Sequence, residues 1–123
     1  MAILVIHNAG MSQWPPELDA VIAAEEHHRL LMENEHVRVL ETIIAPGETT
    51  AVHTHQWPAS GYVVSWSHCM RRDGDGNVTM DTREFESLPE PGSAIWTGAL
   101  GPHTLENVGD QNIHVITVEV KNA

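Results

Sequence analysis

Between Glu48 and Arg71 lie 22 consecutive residues without an Asp, Glu, Lys or Arg, and a second uncharged stretch runs from Pro91 to Leu105. In a chain with 17 acidic residues, such gaps are expected where the backbone lines an interior. Glycine and proline punctuate both stretches, so neither suits a long helix, and short strands around an enclosed space are the natural outcome. The same stretches hold His53, His55, His68 and His103. A buried imidazole needs a hydrogen-bond partner or a metal.

The wider pattern agrees. From His36 onward, β-rich runs at 36–44, 49–55, 61–71, 78–86, 93–97, 103–107 and 113–121 alternate with turn residues, which predicts an all-β antiparallel sandwich or barrel. Ahead of them, Glu17–His28 sets Leu18, Val21, Ile22 and Ala24 among acidic residues behind Pro15 and Pro16, the pattern of a short N-terminal helix. A length of 123 residues suits a single domain, with 1–30 as an N-terminal extension and 31–121 as the barrel. Asp73-Gly74-Asp75-Gly76-Asn77 has the look of a calcium loop but lacks the glycine at its sixth position and lies between strands, so it reads as a hairpin turn.

Six basic residues against 17 acidic ones give a net charge of −11, which argues against nucleic acid and anionic membrane surfaces as partners. Cys69 is the single cysteine and cannot form an internal disulfide. With no targeting signal and no long apolar run in view, a cytoplasmic location is expected.

His53-Thr54-His55 is the sharpest local signal. Side chains two apart on a strand share a face, so these two imidazoles can converge on one ion. The surrounding Gly47-Glu48-Thr49-Thr50-Ala51-Val52-His53-Thr54-His55 resembles the first motif of the cupin superfamily, and Gly92 through Pro102-His103 to Asn107 resembles the second. That resemblance implies a double-stranded β-helix, the jelly-roll barrel of cupins. It also implies a divalent ion held by His53, His55 and His103, a small-molecule substrate and a homodimer. The motif's usual glutamate is missing, since Ser60 stands at its place, and Gly98 and Leu100 depart from the second motif. Three neutral imidazoles leave a divalent ion its full charge and at least one open position. Similar three-histidine sites favour iron(II) and dioxygenase chemistry. Zinc, manganese or nickel with isomerase or lyase chemistry, and a binding barrel without turnover, stand as alternatives.

Strand parity supplies the remaining candidates. If Ser60 faces inward, so do Tyr62, Val64, Trp66, His68 and Met70. His68 and Tyr62 are then the candidates for proton transfer or oxyanion binding, with Ser60, Trp57, Trp66 and Trp96 shaping the substrate pocket. His27 and His28 end the predicted helix, where a cation suits the dipole, and His7, His36 and His114 have no paired spacing; all five read as structural or solvated. Ala2 to Ile6 forms an apolar run suited to covering a sheet edge, its own or a neighbour's.

Overall fold

A computed structural model describes residues 13–122; the proposed edge strand at Ala2–Ile6 and His7 lie outside the described residues. Among the described residues nine strands form two sheets in which every strand pairing is antiparallel. One sheet contains β1 (His28–Glu33), β2 (Val37–Ile44), β9 (Ile113–Val120), β4 (Ala59–Ser65) and β7 (Ala94–Thr97), in that order. The other contains β3 (His53–His55), β8 (Leu100–Asn107), β5 (Cys69–Asp73) and β6 (Val78–Asp81). Among the described residues no helix is long and apolar enough to cross a membrane.

The expected N-terminal helix is much shorter than Glu17–His28. A 3-10 turn at Pro16–Leu18 is followed by one helical turn, α1 (Ala20–Ala23), and the chain then turns into β1 at His28. Asp19 separates the two turns in an extended conformation, and its carboxylate accepts a hydrogen bond from the Val21 N–H as the cap of α1. The strand that begins at His28 was hidden behind the acidic, helix-like pattern before it. The expected 61–71 strand is likewise two strands in different sheets, β4 and β5, with a corner at Trp66-Ser67-His68 between them. Asp73–Asn77 is indeed the β5–β6 hairpin turn, its Asp73 carboxylate accepting from the Asp75 and Asn77 N–H groups.

The glycines that lead the two motif stretches have a common backbone reason. Gly47 and Gly92 adopt φ of 85° and 87°, and each sits in a turn closed by a backbone hydrogen bond, Glu48 to Ala45 and Ser93 to Glu90. Leu40, Ile44, Val63, Cys69 and Ile113 are buried where the sheets meet. Burial lifts the Cys69 thiol pKa to about 11, so it packs as a small apolar group.

Asn107, the asparagine of the second motif, pins the far end of this core. Its side-chain amide donates to the carbonyls of Ile44 and Gln111, and its oxygen accepts from the Gly109 N–H. It is 1% exposed. Asn107→Leu fills a similar volume but strands these three backbone groups, so a loss of about 2–4 kcal/mol is expected in urea denaturation. A loss below about 1 kcal/mol would mean that water takes over the three bonds.

Candidate metal centre

Cross-strand register builds the site. His53 on β3 lies directly opposite His103 on β8, and a register shift then pairs His55 with Leu100. β1 brings His28 to the same place from the other sheet. Nitrogen atoms of His28, His53 and His55 lie within 4.8 Å of one another, a spacing that could hold one metal ion. The His103 ring is next to them, its centroid 4.3 Å from that of His53 and 5.6 Å from that of His55. Four imidazoles therefore gather in one place.

Each ring is oriented by an acceptor at Nδ1. His28 is 3.0 Å from the carbonyl of Ala24, His53 2.8 Å from that of Ala51 and His103 2.7 Å from that of Gly101. The fourth, His55, lies 3.1 Å from the Glu119 carboxylate. With Nδ1–H donating to these oxygens, the lone pair resides on Nε2, and among the described residues no hydrogen bond engages Nε2 of any of the four. An oxygen acceptor behind each imidazole is the arrangement that fixes tautomer and ring angle in metal sites. The donor set fits a divalent first-row cation.

Behind His55 stands a buried ionic chain. Arg38 and Glu119 are cross-strand partners on β2 and β9, with Arg38 Nε 2.6 Å from the Glu119 carboxylate. The other end of the guanidinium forks onto both oxygens of Asp19 at 2.9 and 3.0 Å. Burial works against the Arg38 charge, but its hydrogen bonds to Asp19 and Glu119 outweigh it and raise its pKa. Asp19 thus caps α1, holds Arg38 and, through its bridge to Thr54, ties the N-terminal segment to β3.

The rings open onto a cavity of about 120 Å³ between the two sheets, walled by apolar side chains such as Ile44, Ile95, Leu100, Leu105, Ile113 and Val115. Burial lowers the pKa of His28 to about 4, with neighbouring His55 adding to it, and that of His103 to about 4. Burial, then His103 and His28, lower that of His53 to about 2. All three are neutral at neutral pH.

These values set the acid stability of the metal-free protein. In the unfolded chain the three imidazoles titrate near 6.5, above their folded values, so between those limits the unfolded state binds more protons. Stability is therefore full above about pH 6.5 and falls as pH drops toward 4, by up to ~1.4 kcal/mol per histidine per unit. Thermal melts of chelator-treated protein are expected to show a Tm that is flat from about pH 8 to 7 and falls steeply below about 6. A Tm unchanged down to about pH 4.5 would contradict the burial of these rings.

The structure redistributes the expected site residues. His53 and His55 come together as anticipated, with His103 beside them. His28, read from sequence as structural or solvated, is buried in the cluster. The strand parity is the reverse of the expected one: β4 starts inward at Ala59, so Gly61 and Val63 face in, and Ser60 and Tyr62 face out, Tyr62 at 53% exposure. The inward position at Gly61 is tight: a Cβ there would lie 3.1 and 3.2 Å from Val115 and Ile95. Neither Tyr62 nor Ser60 lines the cavity. A register shift between Val63 and Ser65 then restores Trp66 to the cavity wall. His68 lies past the corner, its Nδ1 bound by the Thr82 hydroxyl at 3.1 Å, and does not line the cavity. Trp57 lines the cavity beneath the Arg38 guanidinium, 5.0 Å from its ring. Trp96 does not: Ile95 and Thr97 take the inward positions of β7 and leave Trp96 63% exposed.

No protein-family model matches this chain, and no curated protein does. Solved structures do match. A cupin domain from Bordetella pertussis Tohama I aligns over 76% of this chain and 91% of its own, with a TM-score of 0.60 and 21% identity. An RmlC-like cupin family protein with a double-stranded β-helix fold from Methanocaldococcus jannaschii aligns over 77% and 79%, with a TM-score of 0.55 and 12% identity. The chain has the cupin fold. A Klebsiella pneumoniae protein with a double-stranded β-helix domain agrees, at 18% identity, a TM-score of 0.52 and coverage of 77% and 76%. Within this cupin barrel, Ala59 lines the cavity on β4 and Ser60 points away, so the strand after the first motif offers no carboxylate to the cluster. His28 comes from outside both motif stretches. Glu119 and Arg71, both also in the cavity wall, were not singled out from sequence. Glu119 left one trace there, as the only acidic residue in the strand Ile113–Val120.

Proposed function

We propose that this chain is a small metal-dependent enzyme acting on a small oxygen-rich organic molecule, with His28, His53, His55 and His103 holding a divalent cation. The observation that carries the reading is the set of four clustered rings, three of them buried, each with Nδ1 turned to an oxygen and Nε2 without a hydrogen-bond partner among the described residues. Iron(II) is the favoured ion and dioxygenase chemistry the favoured reaction; zinc, manganese or nickel there would supply Lewis-acid polarisation instead.

What the protein's own residues contribute favours the oxidative version. Isomerase or lyase chemistry needs a side chain that carries a proton to or from the substrate. His68 and Tyr62, the sequence candidates for that task, are turned away from the cavity. Glu119 lines it but is committed to Arg38 and His55. The wall residues Trp57, Ile95 and Leu100 exclude bulk water from the rings, and Glu119 holds His55 in its ligating orientation.

Elemental analysis followed by an oxygen electrode tests the reading. About one equivalent of metal per chain is expected after loading, with oxygen uptake by the iron(II) form on adding β-dicarbonyl, thiol or phenolic acids. Metal binding without oxygen uptake or any other turnover would reduce the reading to a binding barrel. Failure to bind metal would remove it altogether.

A further inference from the structure

The chain has six lysine and arginine residues among 17 acidic ones, so every cation has acidic groups to choose from. Five are paired: Arg29 with Glu41, Arg38 with Asp19 and Glu119, Arg72 with Glu106, Arg83 with Asp81, and Lys121 with Glu33. Arg71 is the exception among the described residues. It is half-buried on β5, it lines the histidine cavity, and no carboxylate lies within 4.0 Å of it. Burial lowers its pKa, and its charge helps to hold down that of His103. An arginine left unpaired in a low-dielectric wall is costly unless something else supplies the anion.

Trp66 adds a second unmet need. It lines the same cavity, and its indole N–H is shut off from solvent with no acceptor in reach. Leaving such a donor unpaired is costly. Two residues of the wall onto which the histidines open, Arg71 and Trp66, therefore each carry a donor group without a protein partner among the described residues.

We propose that this cavity binds a small carboxylate, with Arg71 as the group that grips the carboxylate and Trp66 as a second donor to the same ligand. The inference rests on the metal reading above and names its substrate class. Charge supports it. Asp19 and Glu119 against Arg38 leave −1, Arg71 restores neutrality, and a divalent ion on neutral imidazoles adds +2 that an anion can offset. Size limits the ligand: 120 Å³ is well below the roughly 300–1,000 Å³ of pockets for drug-sized molecules. A carboxylate of about two to four carbons is the appropriate scale. Phosphate is a poorer match, because its additional oxygens would face Ile95, Leu105 and Ile113 without donors.

The test uses the full chain loaded with zinc, which permits binding without redox turnover, and titrates it calorimetrically with pyruvate, with its neutral amide pyruvamide and with inorganic phosphate. Pyruvate is expected to bind at least about 10-fold more tightly than pyruvamide or phosphate, and to shift the Trp66 indole N–H resonance, assigned by its loss in Trp66→Phe. Arg71→Met should weaken pyruvate by about 10- to 100-fold and leave zinc stoichiometry and pyruvamide affinity unchanged, with Arg71→Lys falling between. Equal affinity for pyruvate and pyruvamide, tighter phosphate binding, or no effect of Arg71→Met would each overturn the carboxylate assignment while leaving the metal centre in place. Zinc that does not bind would instead overturn the metal reading, and this inference with it.

Discussion

Arg38→Ala is expected to lower the stability of the folded chain by about 3–5 kcal/mol, enough to threaten a domain whose total stability is of the order of 5–15 kcal/mol. The guanidinium is the only base that Asp19 and Glu119 share, and both carboxylates are buried, Glu119 at 1% exposure. Its removal leaves two anions in the interior with His55 as the one remaining partner of Glu119. The same change uncaps the route from α1 to the barrel, because Asp19 loses its fork. Arg38→Lys keeps the charge but cannot serve both acids with one planar group, so an intermediate loss is expected. Urea denaturation of the metal-free forms reads both. A loss under about 1 kcal/mol for Arg38→Ala would show that water reaches these carboxylates and that they are not an interior network.

The second large effect belongs to His53. Its ring is the centre of the cluster, in contact with those of His28, His55 and His103 at centroid distances of 4.6, 4.9 and 4.3 Å. His53→Ala is expected to weaken divalent cation binding by at least about 100-fold, since even residues behind a ligand cost about 10- to 100-fold. Equilibrium competition with a chelator measures it. His36→Ala, at an exposed ring outside the cluster, should leave the affinity unchanged. Near-native affinity in His53→Ala would move the ion away from this group of rings.

The sequence made the architecture legible because its strongest signals are local. Alternation and turn residues define strands, and His53-Thr54-His55 places two rings on one face without help from the rest of the chain. The uncharged stretches also marked the cavity correctly, since Thr50, Ala59, Trp66, Ile95 and Leu100 all line it. What stayed hidden depends on long-range register. His28 follows an acidic run that has helical spacing, and only the docking of β1 on β2 opposite Thr42 brings it inside. Arg38 and Glu119 look like outward residues of amphipathic strands, and 81 positions separate them in sequence. The inward set of β4 was misread because alternation fixes only relative parity, not the absolute phase, and the register shifts after Val63. Arg71 gave no sign at all, since an unpaired arginine can be recognised only once every other partner has been accounted for.

One structural detail reaches beyond the barrel. The backbone oxygen that aligns His28 belongs to Ala24, the residue that ends α1, and Asp19 at the other end of that turn holds the arginine behind His55. A chain cut back to begin at Arg29 would keep nearly all of both sheets and still look whole by circular dichroism. It would nevertheless be a crippled version, with three rings in place of four and Arg38 short of one anchor. The stretch ahead of the first strand is thus not packaging to be trimmed for convenience, and proteolytic nicking between Ala24 and His28 should slow markedly once an ion is in place.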